Sequence, residues 1–174
     1  MSVAPPASLR IRFGRFDWEE RRALAEALVL LALAAAAVRL LPLTLIGRIA
    51  AAGPFGKSPA TPDRAEVLTW MVGWAVDRAA RRSAFRAKCF EQGLAAQVML
   101  RRRGIDSTMF YGVGFYGVGF HGVETAPEPR RSIRAHVWIE TDRFPVIGEP
   151  EPHGFALLAT WPQGRRARWA KCCP

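Results

Sequence analysis

Residues 89–113 read C-F-E-Q-G-L-A-A-Q-V-M-L-R-R-R-G-I-D-S-T-M-F-Y-G-V, and within them the hydrophobic period changes. Up to Arg103 the apolar positions recur at helical spacing, with Phe90, Leu94 and Val98 beside Ala95 and Met99. This predicts a helix from near Lys88 to Arg103, closed by Gly104. Thr108 to Val113 is strand-like. Further on, Arg134 to Glu140 alternates with period two: Ala135, Val137 and Ile139 share one face, His136, Trp138 and Glu140 the other. Thr141-Asp142-Arg143-Phe144 then reads as a tight turn, Pro145 to Gly148 as a returning strand and Phe155 to Trp161 as another.

Upstream the pattern is helical. Trp18 to about Arg39 forms one helix and Pro42 to Ala52 a shorter one. Gly53-Pro54-Phe55-Gly56-Lys57-Ser58-Pro59 is a connector by composition. Thr61 caps the next helix with Pro62 in its first turn, and Val67, Met71, Trp74 and Ala75 repeat on one face to about Arg82. Helices first and strands afterwards define an α+β class, an antiparallel sheet packed on the Cys89 helix. The chain divides into an apolar helical region over residues 1–60, the α+β domain over 61–165 and a basic tail over 166–174.

The 174 residues suit one domain with a helical appendage, and half of them are apolar, enough for a core. The net charge of +10 comes from scattered arginines, such as Arg21-Arg22, Arg81-Arg82 and Arg101-Arg102-Arg103. No dense basic run is interleaved with aromatics as a nucleic-acid platform requires, so the arginines read as solvated helix faces; an acidic protein or peptide partner comes next and nucleic acid last, so no nucleic acid is expected. Ala27 to Val38 is unbroken apolar sequence, but Arg39 and then Pro42 interrupt it. A spanning helix needs about 20 apolar residues in a row. The expectation is a soluble helical subdomain that leaves peripheral membrane contact open. Three cysteines do not make an even disulfide framework and fit a reducing, cytoplasmic setting.

The pentapeptide Y-G-V-G-F occurs twice between Tyr111 and Phe120 and generates G-x-G-x-x-G at Gly112, Gly114 and Gly117, and again at Gly117, Gly119 and Gly122. A dinucleotide fingerprint needs a helix next, whereas Pro127 and Pro129 follow, so the repeat reads as a strand–loop–strand connection. No cofactor is expected. No Cys or His pair has metal-ligand spacing on one element, so no metal is expected either.

Cys89 opens a helix beside Arg86 and Lys88. A helix N-terminus and nearby cations both favour a thiolate, and a strand histidine from later in the chain can share its proton. Taken singly, Cys89 reads as a small buried hydrophobe and His136 as a core or edge histidine. Cys172 and Cys173 lie in the polar tail and read as an exposed pair without a role.

Taken together, Cys89 to Ile105 and A-H-V-W-I-E from Ala135 to Glu140 resemble the leader peptidases of lasso-peptide biosynthesis, members of the transglutaminase-like, papain-related superfamily. That family pattern runs from a Cys opening a helix that ends Leu-Arg-Arg-x-Gly-Ile, through a strand ending Gly-Val, to Ala-His-x-Trp-hydrophobic-Glu and a Pro-Val strand. All of these parts occur here in order, the last as Pro145-Val146, and the resemblance covers about residues 63–160. It implies a papain/transglutaminase-like cysteine peptidase that removes the leader of a lasso precursor peptide before macrolactam cyclisation. Cys89 would attack the scissile carbonyl, its backbone N–H would serve the oxyanion hole, and His136 would hand the proton to the leaving amine. It further implies a separate leader-recognition protein and an ATP-dependent, asparagine-synthetase-like cyclase as partners. Members often carry Asp where this chain has Gly148.

The third catalytic position therefore rests on register. With Asp142 and Arg143 as the two turn residues, Thr141 opposes Phe144 and His136 falls opposite Glu149. Glu140 shares the His136 face but lies about 13 Å along the strand, beyond hydrogen-bond reach. The expected triad is thus Cys89, His136 and Glu149. A transglutaminase-like acyltransferase and a non-enzymatic scaffold that binds membrane or peptide are the alternatives.

Overall fold

The computed structural model describes residues 18–59, 61–85, 87–116, 132–143, 145–148 and 155–163. Four helices come first: α1 (Trp18–Leu40), α2 (Leu43–Ala51), α3 (Pro62–Arg82) and α4 (Cys89–Arg102). Four strands follow: β1 (Thr108–Tyr116), β2 (Ser132–Glu140), β3 (Pro145–Ile147) and β4 (Phe155–Trp161). The sheet has the order β3-β2-β1-β4 and every neighbouring pair is antiparallel. This is the α+β class expected from the period change.

Local chemistry sets the boundaries. Thr61 accepts the Arg64 N–H at 3.2 Å and Pro62 occupies the first helical position of α3. Pro42 separates α1 from α2, and Gly104, at φ 67°, closes the α4 end. β1 runs on to Tyr116, so the first Y-G-V-G-F copy is strand and pairs with β2 on one side and β4 on the other. Gly117, Gly119 and Gly122 lie outside the described residues.

One core joins the helices and the sheet. α1 contributes Ala23, Ala27, Leu31 and Ala34, α3 Val72, Ala75 and Val76, α4 Ala96, Met99 and Leu100, and the sheet Met109, Val137 and Ile139. Small residues let α4 lie close to the strands: a Cβ at Gly93 would stand 2.7 Å from Val137 Cγ1 and 3.2 Å from Met109 Sδ. The helical region before residue 60 thus shares its core with the residues that follow. Among the described residues, α1 alone is long and apolar enough to cross a membrane by length and composition. One stripe of it is buried in the core, while Val29, Leu33 and Leu40 are exposed.

The expectation of solvated arginines fails at the end of α4. Arg101 is buried and donates to Ile49 O and Ala50 O at the end of α2. Arg102 and Arg103 both reach Glu26 of α1, at 3.2 and 2.7 Å. The orphan carbonyls of one helix end and a half-buried carboxylate draw these side chains inward.

Candidate active site

Cys89 is the first residue of α4, so its N–H is among those that a helix start leaves without an intrahelical acceptor. The turn is held from several sides. Glu91, buried, accepts the Lys88 N–H at 2.8 Å and lies 3.7 Å from Arg39 of α1. Gln92 donates to Ala87 O at 2.8 Å, pinning the segment that leads into the helix. Phe90 meets Tyr111 and Trp161 edge-on, each at 6.1 Å, and so anchors the first turn on β1 and the end of β4.

The Cys89 thiol is free and half-buried, and it donates to Ala135 O across 3.9 Å. That carbonyl belongs to the peptide unit joining Ala135 to His136. The helix start and the strand that carries His136 therefore meet at Cys89 and Ala135, 46 residues apart in sequence.

On β2 the side chain of His136 shares a face with Trp138 and Glu140, and α4 packs through Gly93 on the other face at Val137. The His136 ring stacks on Trp138 with centroids 6.0 Å apart and planes 18° from parallel. Trp138 in turn stacks on Phe110 at 5.3 Å, and its Nε1–H donates to Glu140 Oε1 at 3.0 Å. Trp138 and Glu140 are both buried. Sequence reasoning placed Glu140 on the His136 face and set it aside as too far for a direct bond. The strand's own repeat, an acceptor two residues after an indole that is two residues after a histidine, was the signal for an indirect link.

The register used for Glu149 is corrected in part. Glu140 opposes Pro145 as expected, but Ile139 opposes Ile147, so β3 advances two residues while β2 advances one. This bulge arises where the three-residue β3 ends, just before Gly148 at φ 67°. The uniform pairing that set His136 against Glu149 is thereby lost, and Glu149 itself lies outside the described residues, as do Cys172 and Cys173. Gly148, by contrast, is beside the ring: a Cβ there would stand 3.2 Å from His136 Nε2, 3.0 Å from Trp138 Cβ and 2.7 Å from Val137 O.

Among the described residues no group of three or more His, Cys, Asp or Glu side chains is arranged to hold a metal ion. Cys89 thus stands at a helix start beside the strand that carries His136. A family model of the transglutaminase-like superfamily matches residues 27–160, and the chain belongs to that superfamily. Its members include cysteine peptidases and acyltransferases, and its fold is typically that of a cysteine-based enzyme. No curated protein and no solved structure matches the chain.

Proposed function

We propose that this protein is a cysteine peptidase that removes the leader from a lasso-peptide precursor, with Cys89 as nucleophile and His136 as general base. The observation that supports this reading most is the Cys89 thiol at the start of α4, held against the carbonyl next to His136. Attack of Sγ on the scissile carbonyl gives a thioester and frees the amine that begins the core peptide, with His136 passing it the thiol proton. Water then hydrolyses the thioester and releases the leader as a carboxylic acid. The Cys89 N–H is suited to the oxyanion, since a helix start directs unpaired N–H groups outward. The setting is cytoplasmic. The freed amine is then available to an ATP-dependent, asparagine-synthetase-like cyclase.

Incubation with the precursor peptide, read by mass spectrometry, tests the reaction. Two fragments that sum to the precursor plus one water mark a peptidase. A precursor-derived adduct on an added amine marks the acyltransferase of the same superfamily and overturns the proposal. The separate leader-recognition protein is expected to raise the single-turnover rate by about 10-fold or more, because docking the leader converts encounter into an intramolecular event. Equal rates with and without that protein count against the two-component reading.

Glu149 remains the proposed third member. Glu149→Gln should slow turnover by about 10²-fold or more while leaving the circular dichroism spectrum and leader binding unchanged, the result of losing a carboxylate that orients an imidazole. Normal turnover in that variant removes Glu149 from the triad.

A further inference from the structure

We propose that Trp138 and Glu140 are positioning residues for His136: Glu140 fixes the Trp138 indole, and the indole face sets the plane of the imidazole. The inference rests on His136 being the base for Cys89.

Three observations carry it. The first is position. His136, Trp138 and Glu140 follow at every second residue of β2, so all three side chains stand on one face. The second is the bond. Trp138 Nε1–H donates to Glu140 Oε1 at 3.0 Å with both residues buried, and a carboxylate in such a place strongly holds a donor. With Phe110 stacked on the indole at 5.3 Å and 13°, the Trp138 ring is clamped at its edge and on its surface. The third is what surrounds the imidazole. It stacks on this clamped indole at 6.0 Å and 18°. Its paired residue on β1 is Gly112, and beside its Nε2 edge stands Gly148, neither of which offers a side chain. From α4 the Cys89 thiol reaches the strand at Ala135 O. A clamped ring thus faces the imidazole from its own strand.

The chemistry suits the role. The face of an indole is electron-rich, and a carboxylate on its N–H makes it more so. Such a face favours an imidazolium lying against it, which is the form His136 takes when it holds the Cys89 proton. Glu140 thus acts through Trp138, without reaching His136 itself.

The test is the rate at which iodoacetamide alkylates Cys89 in the full-length protein at neutral pH, resolved from Cys172 and Cys173 by peptide mass spectrometry. This readout needs no substrate. His136→Gln should slow alkylation by about 10-fold, the result of losing the side chain proposed to accept the Cys89 proton. Trp138→Phe keeps a stacked ring but has no N–H, and Glu140→Leu has no acceptor; each should slow it by about 5-fold. The double variant should be no slower than either single one, because both changes break the same link. Glu140→Gln, which keeps an acceptor oxygen, should restore most of the rate. Additive effects of Trp138→Phe and Glu140→Leu, or a wild-type rate in Trp138→Phe beside a slow His136→Gln, would overturn the inference and leave the base in place. A wild-type rate in His136→Gln removes the base and the inference together. Where Glu140→Leu does not fold, Glu140→Ala, which also lacks the acceptor, takes its place in the wild-type and Trp138→Phe backgrounds: a cost of equal size in both overturns the link.

Discussion

Cys89→Ala is expected to abolish cleavage of the precursor, lowering the rate by about 10⁴-fold or more, while the double change Cys172→Ser with Cys173→Ser leaves it within about twofold. The size follows from the role. An alanine methyl cannot form the thioester, and what survives is only the contribution of substrate binding and of any oxyanion donors. The fold should not suffer, because Cys89 is half-buried at a helix start whose anchors are its neighbours: Glu91 on the Lys88 N–H, Gln92 on Ala87 O and Phe90 against Tyr111 and Trp161. A thermal melt within a few degrees of wild type should accompany the loss. Full activity in purified Cys89→Ala protein ends the peptidase reading.

Much of this architecture was open to reading because periodicity is local. The stripe Phe90–Leu94–Val98 and the alternation Ala135–Val137–Ile139 each identify an element without knowledge of its neighbours, and the observed α4 and β2 carry them. The break at Pro42 and the cap at Thr61 are equally local and fall where expected. The meeting of Cys89 with the His136 strand is not local. It was reached by resemblance, and the 3.9 Å contact with Ala135 O is its geometric counterpart.

What escaped depends on contacts between distant elements. Alternation on β2 predicts one buried face, yet Trp138 and Glu140 on the other are also buried, and nothing within Arg134–Glu140 distinguishes a covered face from an open one. The bulge between Glu140 and Ile139 reflects the short β3, a property of the pair of strands that a single-strand reading assumes away. Arg39 looked like a mere interruption of an apolar run. It lies at the end of α1, where it donates to Ala35 O at 2.7 Å and faces Glu91 at the start of the Cys89 helix.

Arg101 shows the same limit most sharply and gives the second large effect. Arg101→Met is expected to destabilise the fold by about 2–4 kcal/mol and to lower Tm by about 5–15 °C. The residue looked like one of three solvated arginines, but it is 3% exposed. Its guanidinium donates to Ile49 O at 2.5 Å and to Ala50 O, the orphan carbonyls that end α2. Its own carbonyl accepts from Phe55 N at 3.2 Å and from Gly56 N at 3.0 Å, so one residue ties α4 to α2 and to the connector after it. Burial pulls the guanidinium below its ordinary range, and Asp106 partly opposes this. An arginine nevertheless stays charged, so the substitution removes a desolvated cation as well as its hydrogen bonds. The relief of that desolvation offsets only part of the loss, because the carbonyls are backbone and cannot be removed with their partner. Ile49 O keeps the Ala52 N–H at 3.4 Å, whereas Ala50 O loses the partner described for it. Arg102→Ala is the control: that side chain is 53% exposed in its pairing with Glu26, and its loss should cost no more than about 1 kcal/mol. Equal melting temperatures for the Arg101 and Arg102 variants would show that the guanidinium does not hold α2 in place.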